Sequence, residues 1–347
     1  MKCNHIFFIM LACMLLSSGF QTNSLAEDVS ARSDFSFRLP SDKEEFGIIW
    51  NALKMMPFYN KYGYQVELPD QKEFQQLAEN PDALNNANRN QLYSIFVNNQ
   101  YNKSNYKNGL CVLKSKEEAA RKALTELCEL KRLWGFKIYK HYDVALTLYG
   151  PGGTYDPSSG KVFIRATSDG SFVRKEPIHT VVHEMVHLGI DQNIKERYDL
   201  DHNETERVVD YICSKYLGHV LTGYREMSLR DEQLDGYLDK NAILNLPQAI
   251  ENYASSIFKV LVVEKVYGGS QAQRQMLREG DIIYKYSGKR TTKIKEFARM
   301  VKEQSDKDRI EMIVFRDGKA RTFNLNGGPL GVKITEAKIA KANLLIP

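Results

Sequence analysis

Cysteine is scarce in this 347-residue chain: beyond an N-terminal apolar segment only Cys111, Cys128 and Cys213 remain. An odd set permits at most one internal disulfide, for which Cys111 and Cys128 are the local pair, and it excludes a disulfide scaffold. Cys213 is expected as a buried free thiol, because free cysteine packs as a small hydrophobe. Blocks of like charge are also missing. The formal net charge of +5 is spread over both signs, which leaves no footprint for a nucleic-acid partner. Past the first 26 residues, no apolar run approaches the roughly 20 residues that a membrane-spanning helix requires. No internal repeat is visible. The 43% hydrophobic content over this length suffices for two or three modest cores.

The N-terminal segment reads as an address. Lys2 precedes an apolar run from Ile6 to Leu16, then polar residues and Ser24-Leu25-Ala26, a small-x-small cleavage pattern. Residues 1–26 are therefore expected to be a signal peptide, with cleavage near Ala26 and a secreted or periplasmic destination. Cys13, after Met10-Leu11-Ala12, has the look of a lipoprotein signal, but it falls too early in the apolar run for lipid anchoring.

The most specific motif is His183-Glu184-Met185-Val186-His187. At about 3.6 residues per turn, histidines four apart lie on one helix face and can reach a common metal ion. Glu184 falls beside them, placed to take a proton from an activated water and pass it to a leaving amine. Pro177 suits the first turn, and Ile178, Val181, Val182, Met185 and Leu188 form an apolar arc opposite the histidines. With a second layer over them, the imidazoles line a cleft. Without one they face water, as Glu-His pairs on solvated helices do.

A catalytic zinc needs a third ligand from a separate element, with its fourth position left for water. From Asp201 the chain reads Asp-His-Asn-Glu-Thr-Glu-Arg-Val-Val-Asp-Tyr-Ile-Cys, with Val208, Val209, Ile212 and Tyr216 as a buried stripe. Glu206 is the expected ligand, with Glu204 in reserve. Asp210, one turn on, is placed to accept the second ring N–H of a ligating histidine. Two capping boxes compete here. Asn203 with Glu206 would consume the ligand, whereas Asp201 with Glu204 would free it.

His183, Glu184 and His187, followed by Glu206 and Asp210, resemble the gluzincin metallopeptidases, whose pattern is H-E-x-x-H and then E-x-x-x-D on a following helix. The resemblance covers about a quarter of the chain. It implies one zinc ion held by His183, His187 and Glu206, with Glu184 as catalytic base. The metzincin pattern is not met, because Leu188 to Asn193 place neither its glycine nor its third histidine at the required positions. His179 and His202 fall to supporting or surface positions. For the group that steadies the oxyanion, Tyr198, His202, Tyr211, His219 and Tyr224 all remain open.

Around this site the pattern predicts strands at Val144–Tyr149 and Lys161–Thr167, separated by turns at Pro151-Gly152-Gly153 and Asp156 to Gly160. An edge strand beside the metal helix would hold an extended substrate by backbone hydrogen bonds. Residues 27–140 read mostly as helices broken by Asn-rich loops at Asn80–Asn90 and Asn98–Asn108. The clearest helix is expected from a capping box at Ser115 and Glu118, with Ala119, Ala123, Leu127, Leu130 and Trp134 inward.

The tail is a separate module. An apolar strand over Phe258–Val266 leads to Gly269-Ser270-Gln271-Ala272, then Leu277 to Ile283 with Gly280-Asp281, a Ser287-Gly288 turn, a helix with Ile294, Phe297, Ala298 and Val301 inward, and a hairpin at Asp317-Gly318. That order resembles a PDZ domain over about 80 residues. The resemblance implies that Leu330-Gly331-Val332 cradles the terminal carboxylate of a peptide ligand. Its place at the end of the module fits the permuted strand order of bacterial proteases.

The expectation is an α+β protein: a signal peptide (1–26), a helical N-terminal region (27–140), a zincin-like catalytic region (141–246) and a small, mostly β, PDZ-like domain (247–340). It is expected to be a zinc metallopeptidase with a peptide or protein substrate and no nucleic-acid partner. The rival expectation is a non-catalytic envelope protein that binds peptides through its PDZ-like domain.

Overall fold

A computed structural model describes residues 34–227 and 231–341; the expected signal peptide lies outside them. The protein is mixed α+β, with a helical N-terminal part and a β-rich C-terminal sheet. It divides into two compact units, one up to Pro247 and one from Gln248. Among the described residues no helix is long and apolar enough to cross a membrane.

In the first unit, helix α1 (Asp42–Tyr62) opens on a Ser41–Glu44 capping box and ends at Gly63 in the left-handed conformation that glycine tolerates best. Helices α2 (Lys72–Glu79) and α3 (Arg89–Asn99) close over it around Phe46, Ile49, Leu53, Phe74 and Phe96. The Asn-rich segments are more ordered than their composition suggests. Tight 3-10 turns occupy Pro81–Asn86 and Lys103–Tyr106, and the Asn88 and Asn102 side chains cap the helical segments that begin directly after them. Asparagine is a strong N-cap, so the same residues that read as loop start structure here.

Helix α4 (Lys107–Lys114) corrects two expectations. Ser115 closes α4 with helical dihedrals and its hydroxyl bonds back to the Val112 carbonyl, so it cannot cap the next helix; α5 (Glu117–Trp134) starts without a side-chain cap. Cys111 is exposed, Cys128 is buried, and both are free, as is the buried Cys213.

The first sheet has the order β1-β2-β4-β3, built from β1 (Asp34–Arg38), β2 (His141–Thr147), β3 (Gly153–Asp156) and β4 (Lys161–Arg165). Strand β2 runs parallel to both β1 and β4, whereas β3 is antiparallel to β4. Inner parallel strands are covered on both faces. Accordingly β2 is buried from Val144 through Thr147 without alternation and starts three residues before the expected Val144. Helix α6 (Pro177–Ile190) packs against this sheet, and α7 (His202–Tyr211) packs against α6. Both helices continue into wider π-type turns, Asp191–Glu196 and Ile212–Tyr216.

A buried acid joins the helical part to this sheet. Glu45 of α1 is fully covered, and its Oε1 accepts from the Leu148 amide at 2.8 Å and the Thr147 hydroxyl at 3.0 Å. Burial pushes its carboxyl up to about 7. The folded protein thus keeps a proton that the unfolded chain releases above its ordinary value of 4.5. Stability therefore falls as pH rises from about 4.5 to about 7, by about 3 kcal/mol at most from this group. Glu45→Gln should flatten that slope and leave the variant more stable than the parent at pH 8. Denaturant melts across pH 5 to 8 check this; parallel stability curves for the two proteins would contradict it.

Helix α8 (Leu246–Ser256) begins at the boundary and, in the second unit, runs into β5 (Ile257–Val266), followed by β6 (Ile282–Tyr286), helix α9 (Ile294–Glu303), β7 (Ile310–Arg316), β8 (Lys319–Leu325) and β9 (Val332–Ala340). The antiparallel sheet has the order β8-β7-β6-β5-β9. Its two tight turns, Ser287-Gly288 and Asp317-Gly318, have positive φ at both central positions, the geometry that matches strand twist in a two-residue hairpin. Phe297 of α9 meets the Tyr286 ring and shares one buried cluster with Leu261, Met312 and Val314. Asp281 is buried and takes a fork from Arg316 at 2.6 and 2.7 Å.

Candidate metal centre

Every residue of α6 is buried, as expected for a helix covered on all sides. The imidazoles of His183 and His187 therefore do not face water. They turn toward α7, where Asp201 caps the helix in a reciprocal box with Glu204. Of the two competing boxes this is the one that forms, which leaves Glu206 free and removes Glu204 as a ligand. Glu206 reaches between the histidines: its Oε2 lies 3.1 Å from His183 Nε2 and its Oε1 3.3 Å from His187 Nε2.

The two Nε2 atoms are themselves 3.1 Å apart. In a tetrahedral metal site with ligand bonds of about 2.0 Å, neighbouring donor atoms stand about 3.3 Å apart; the nearest-atom separations within the trio are close to that, with the two imidazoles meeting different oxygens of Glu206. Its donor chemistry fits as well. Three lone-pair donors converge on one buried point, and a positive charge there relieves their repulsion. The group formed by His183, His187 and Glu206 could hold a metal ion. Burial disfavours the charged form of each residue, but pairing between His187 and Glu206 overrides it, raising the imidazole and holding the carboxyl well below its ordinary value. His183, where burial prevails, is lowered.

The histidines are held in different ways. His183 Nδ1 lies 2.6 Å from the Tyr224 hydroxyl, which donates to Asp210 Oδ1 at 2.7 Å. Burial keeps the Tyr224 phenol far above its ordinary value, so it stays protonated. Asp210 itself is 3.9 Å from His183 Nδ1, beyond hydrogen-bond range; the direct bond expected from its spacing is replaced by a bridge through Tyr224. His187 has no such partner. Among the described residues its buried Nδ1 meets no hydrogen-bond partner, and the ring stacks on Tyr155 at 5.1 Å with planes 13° apart.

Tyr155 belongs to β3, the edge strand of the sheet, which among the described strands pairs only with β4. Two residues earlier on the same strand face, Gly153 presses on Glu184. A Cβ built there would lie 2.4 Å from Glu184 Oε1 and 2.6 Å from Thr180 Cγ2. Only glycine lets the strand approach this closely. Burial pushes the Glu184 carboxyl up to about 7, the range in which a carboxylate both accepts and returns protons at neutral pH.

On the other flank, His202 sits beside Glu206, Nδ1 to Oε1 at 3.6 Å, and takes a Tyr64 contact of 2.9 Å on Nε2. Phe58, Tyr62 and Tyr64, at the end of α1 and just beyond it, ring this histidine with centroids 4.4 to 5.6 Å away. Three of the other candidates for steadying an oxyanion are engaged elsewhere. Tyr211 donates to the Asp239 carbonyl at 2.7 Å, His219 is exposed beside Glu126, and Tyr224 is committed to His183 and Asp210. His179 lies by the Tyr224 ring, away from the converging donors. Gly153 and Tyr155 carry no motif; their one sequence signal is the glycine turn that precedes a short strand.

In the second unit, Leu330 is buried and its carbonyl accepts from Ala272 N, while the Gly331 carbonyl accepts from Tyr267 N, both at 2.9 Å. Gly331 has φ 73°, and a Cβ there would meet Ser270 Cβ at 2.3 Å. Val332 begins β9, the sheet's outer strand. Between β9 and α9 runs a groove of about 730 Å³, lined by Ile294, Phe297, Val301, Leu330, Val332 and Ile334.

Compared with models of known protein families, the chain matches none, and it matches no curated protein.

Proposed function

We propose that the first unit is a zinc-dependent metallopeptidase of the gluzincin type. The observation that carries this reading is the convergence of His183, His187 and Glu206 with nearest-atom separations of 3.1 to 3.3 Å, and the Glu184 carboxyl against Gly153 of the edge strand β3. Zinc bound there would supply Lewis acidity toward a scissile carbonyl and make a nearby water more acidic. The remaining work falls to the chain. The outer edge of β3 offers backbone N–H and C=O groups to an extended peptide, which positions it without regard to side chains. Glu184 accepts the proton of the attacking water and delivers it to the amide nitrogen as the C–N bond breaks. Tyr155 and the bridge through Tyr224 fix the two imidazoles, and Asp210 anchors that bridge.

The second unit is read as a PDZ-like module in which Leu330, Gly331 and Val332 form the turn that receives a peptide terminus. The apolar groove between α9 and β9, with Lys302 among its lining residues, supports a ligand with an apolar end and a carboxylate. The module would recruit a substrate or a partner.

Zinc content of the purified full chain, measured alongside digestion of an unbiased peptide library, tests the catalytic reading. One tightly held zinc per chain and chelator-sensitive cleavage are expected; a metal-free chain that cleaves nothing after zinc is supplied would end it. The strand contact gives a sharper expectation. Gly153→Ala must displace Glu184 or β3, and a misplacement near 1 Å costs on the order of 100-fold in rate. Cleavage by this variant should fall by about that factor with zinc retained. Wild-type turnover would show that the contact does not set the position of Glu184.

A further inference from the structure

We infer that Tyr224 is a positioning residue: its hydroxyl accepts the Nδ1 proton of His183 and donates its own to Asp210, so the carboxylate holds this imidazole through a phenol. The inference rests on the metal-binding reading of His183 and deepens it.

The assignment follows from directions as well as distances. His183 Nε2 is turned to Glu206 and His187, so Nδ1 points the other way, into the Tyr224 hydroxyl at 2.6 Å. A phenol has one proton. With Asp210 Oδ1 at 2.7 Å from the same oxygen, that proton goes to the carboxylate, and the imidazole must be the donor on its side. The second oxygen of Asp210 accepts from the Met227 amide at 2.6 Å. Asp210 thus grips the Tyr224–Met227 segment at both ends, and the segment, although remote from α6 in sequence, becomes part of the support of a metal-facing ring.

Partners of this kind fix a histidine's tautomer and raise its basicity. A phenol between ring and carboxylate keeps the orientation while moving the negative charge one group further off. Among the described residues His187 Nδ1 meets no such partner, and the Tyr155 ring stacks on its imidazole. The two histidines therefore present unequal electron donation to whatever ion they share.

The test uses the full chain as wild type, Tyr224→Phe, Asp210→Asn and the double variant. Zinc affinity is read by competition with a chromophoric chelator, and the His183 ring proton by imidazole NMR of the metal-free protein. Each single variant is expected to bind zinc about 10- to 100-fold more weakly. The double variant should lose no more than the worse single, because both substitutions break one relay. In the wild type, Nδ1 should carry a downfield hydrogen-bonded proton that disappears in Tyr224→Phe. Unchanged zinc affinity in Tyr224→Phe, losses that multiply in the double variant, or a bare Nδ1 in the wild type would each overturn the relay. The wild-type proton needs no variant to fold. If the wild type takes up no zinc, the metal reading fails, and the NMR measurement still decides the role of Tyr224.

Discussion

Glu184→Gln protein is expected to keep its zinc and to cleave peptides on the order of 1,000-fold more slowly than the parent, within the range that a positioned acid-base group contributes. The two halves of that outcome have separate causes. Glutamine has nearly the same shape, so it fits against Gly153 and Thr180 as the carboxylate does, and the helix is undisturbed. It cannot accept a proton, so the water is no longer deprotonated and the leaving amine is not protonated. The donors that converge are His183, His187 and Glu206, not Glu184, which is why the metal should stay. Elemental analysis and a quenched-fluorescent peptide assay on one preparation decide the matter. Loss of the metal would move Glu184 into the ligand set; full activity would remove it from the chemistry.

Glu206→Ala should have the opposite profile, with loss of metal as the primary defect. The substitution removes the anionic donor of this group and leaves two imidazoles facing each other across 3.1 Å. Supporting residues around a metal already cost 10- to 100-fold in affinity, so loss of a ligand should exceed about 100-fold. A stability readout makes this independent of any substrate. Zinc at about 100 times its dissociation constant stabilises the parent by about 2.7 kcal/mol, and the same concentration should leave the melting temperature of Glu206→Ala nearly unmoved. Glu204→Ala is the control. It breaks the capping box with Asp201, at a cost of about 1 kcal/mol, yet should bind zinc as the parent does. If Glu204→Ala released the metal and Glu206→Ala kept it, the ligand assignment would be reversed.

Much of the site is legible in the sequence because its parts are local. Two histidines four apart share a helix face in any context, and Pro177 and the apolar arc announce that the helix is buried. The strand β5, the existence of α9 and the Asp317-Gly318 hairpin follow from short patterns in the same way, although Ile294 and Ala298 of α9, expected inward, are exposed. Failures cluster where a residue had two local options. Ser115 has cap chemistry, but α4 runs into it, and its hydroxyl turns back to Val112. Cys111 and Cys128 are near in sequence, but the first is exposed and the second buried. Asp210 has the right spacing for a histidine partner, yet a tyrosine from a later loop occupies the gap.

By itself, then, the amino-acid order determined the histidine-bearing helix, the acidic helix that comes after it and the module at the carboxyl end, since each depends on periodicity within some ten to twenty residues. Only the tertiary structure decided which acid meets the histidines, what stands behind each ring, and which strand borders Glu184. Those contacts join α6 to residues well outside it, Gly153 and Tyr155 before it and Glu206 and Tyr224 after it. No local pattern encodes them, because chain closure over such separations is set by the packing of the whole core around α6.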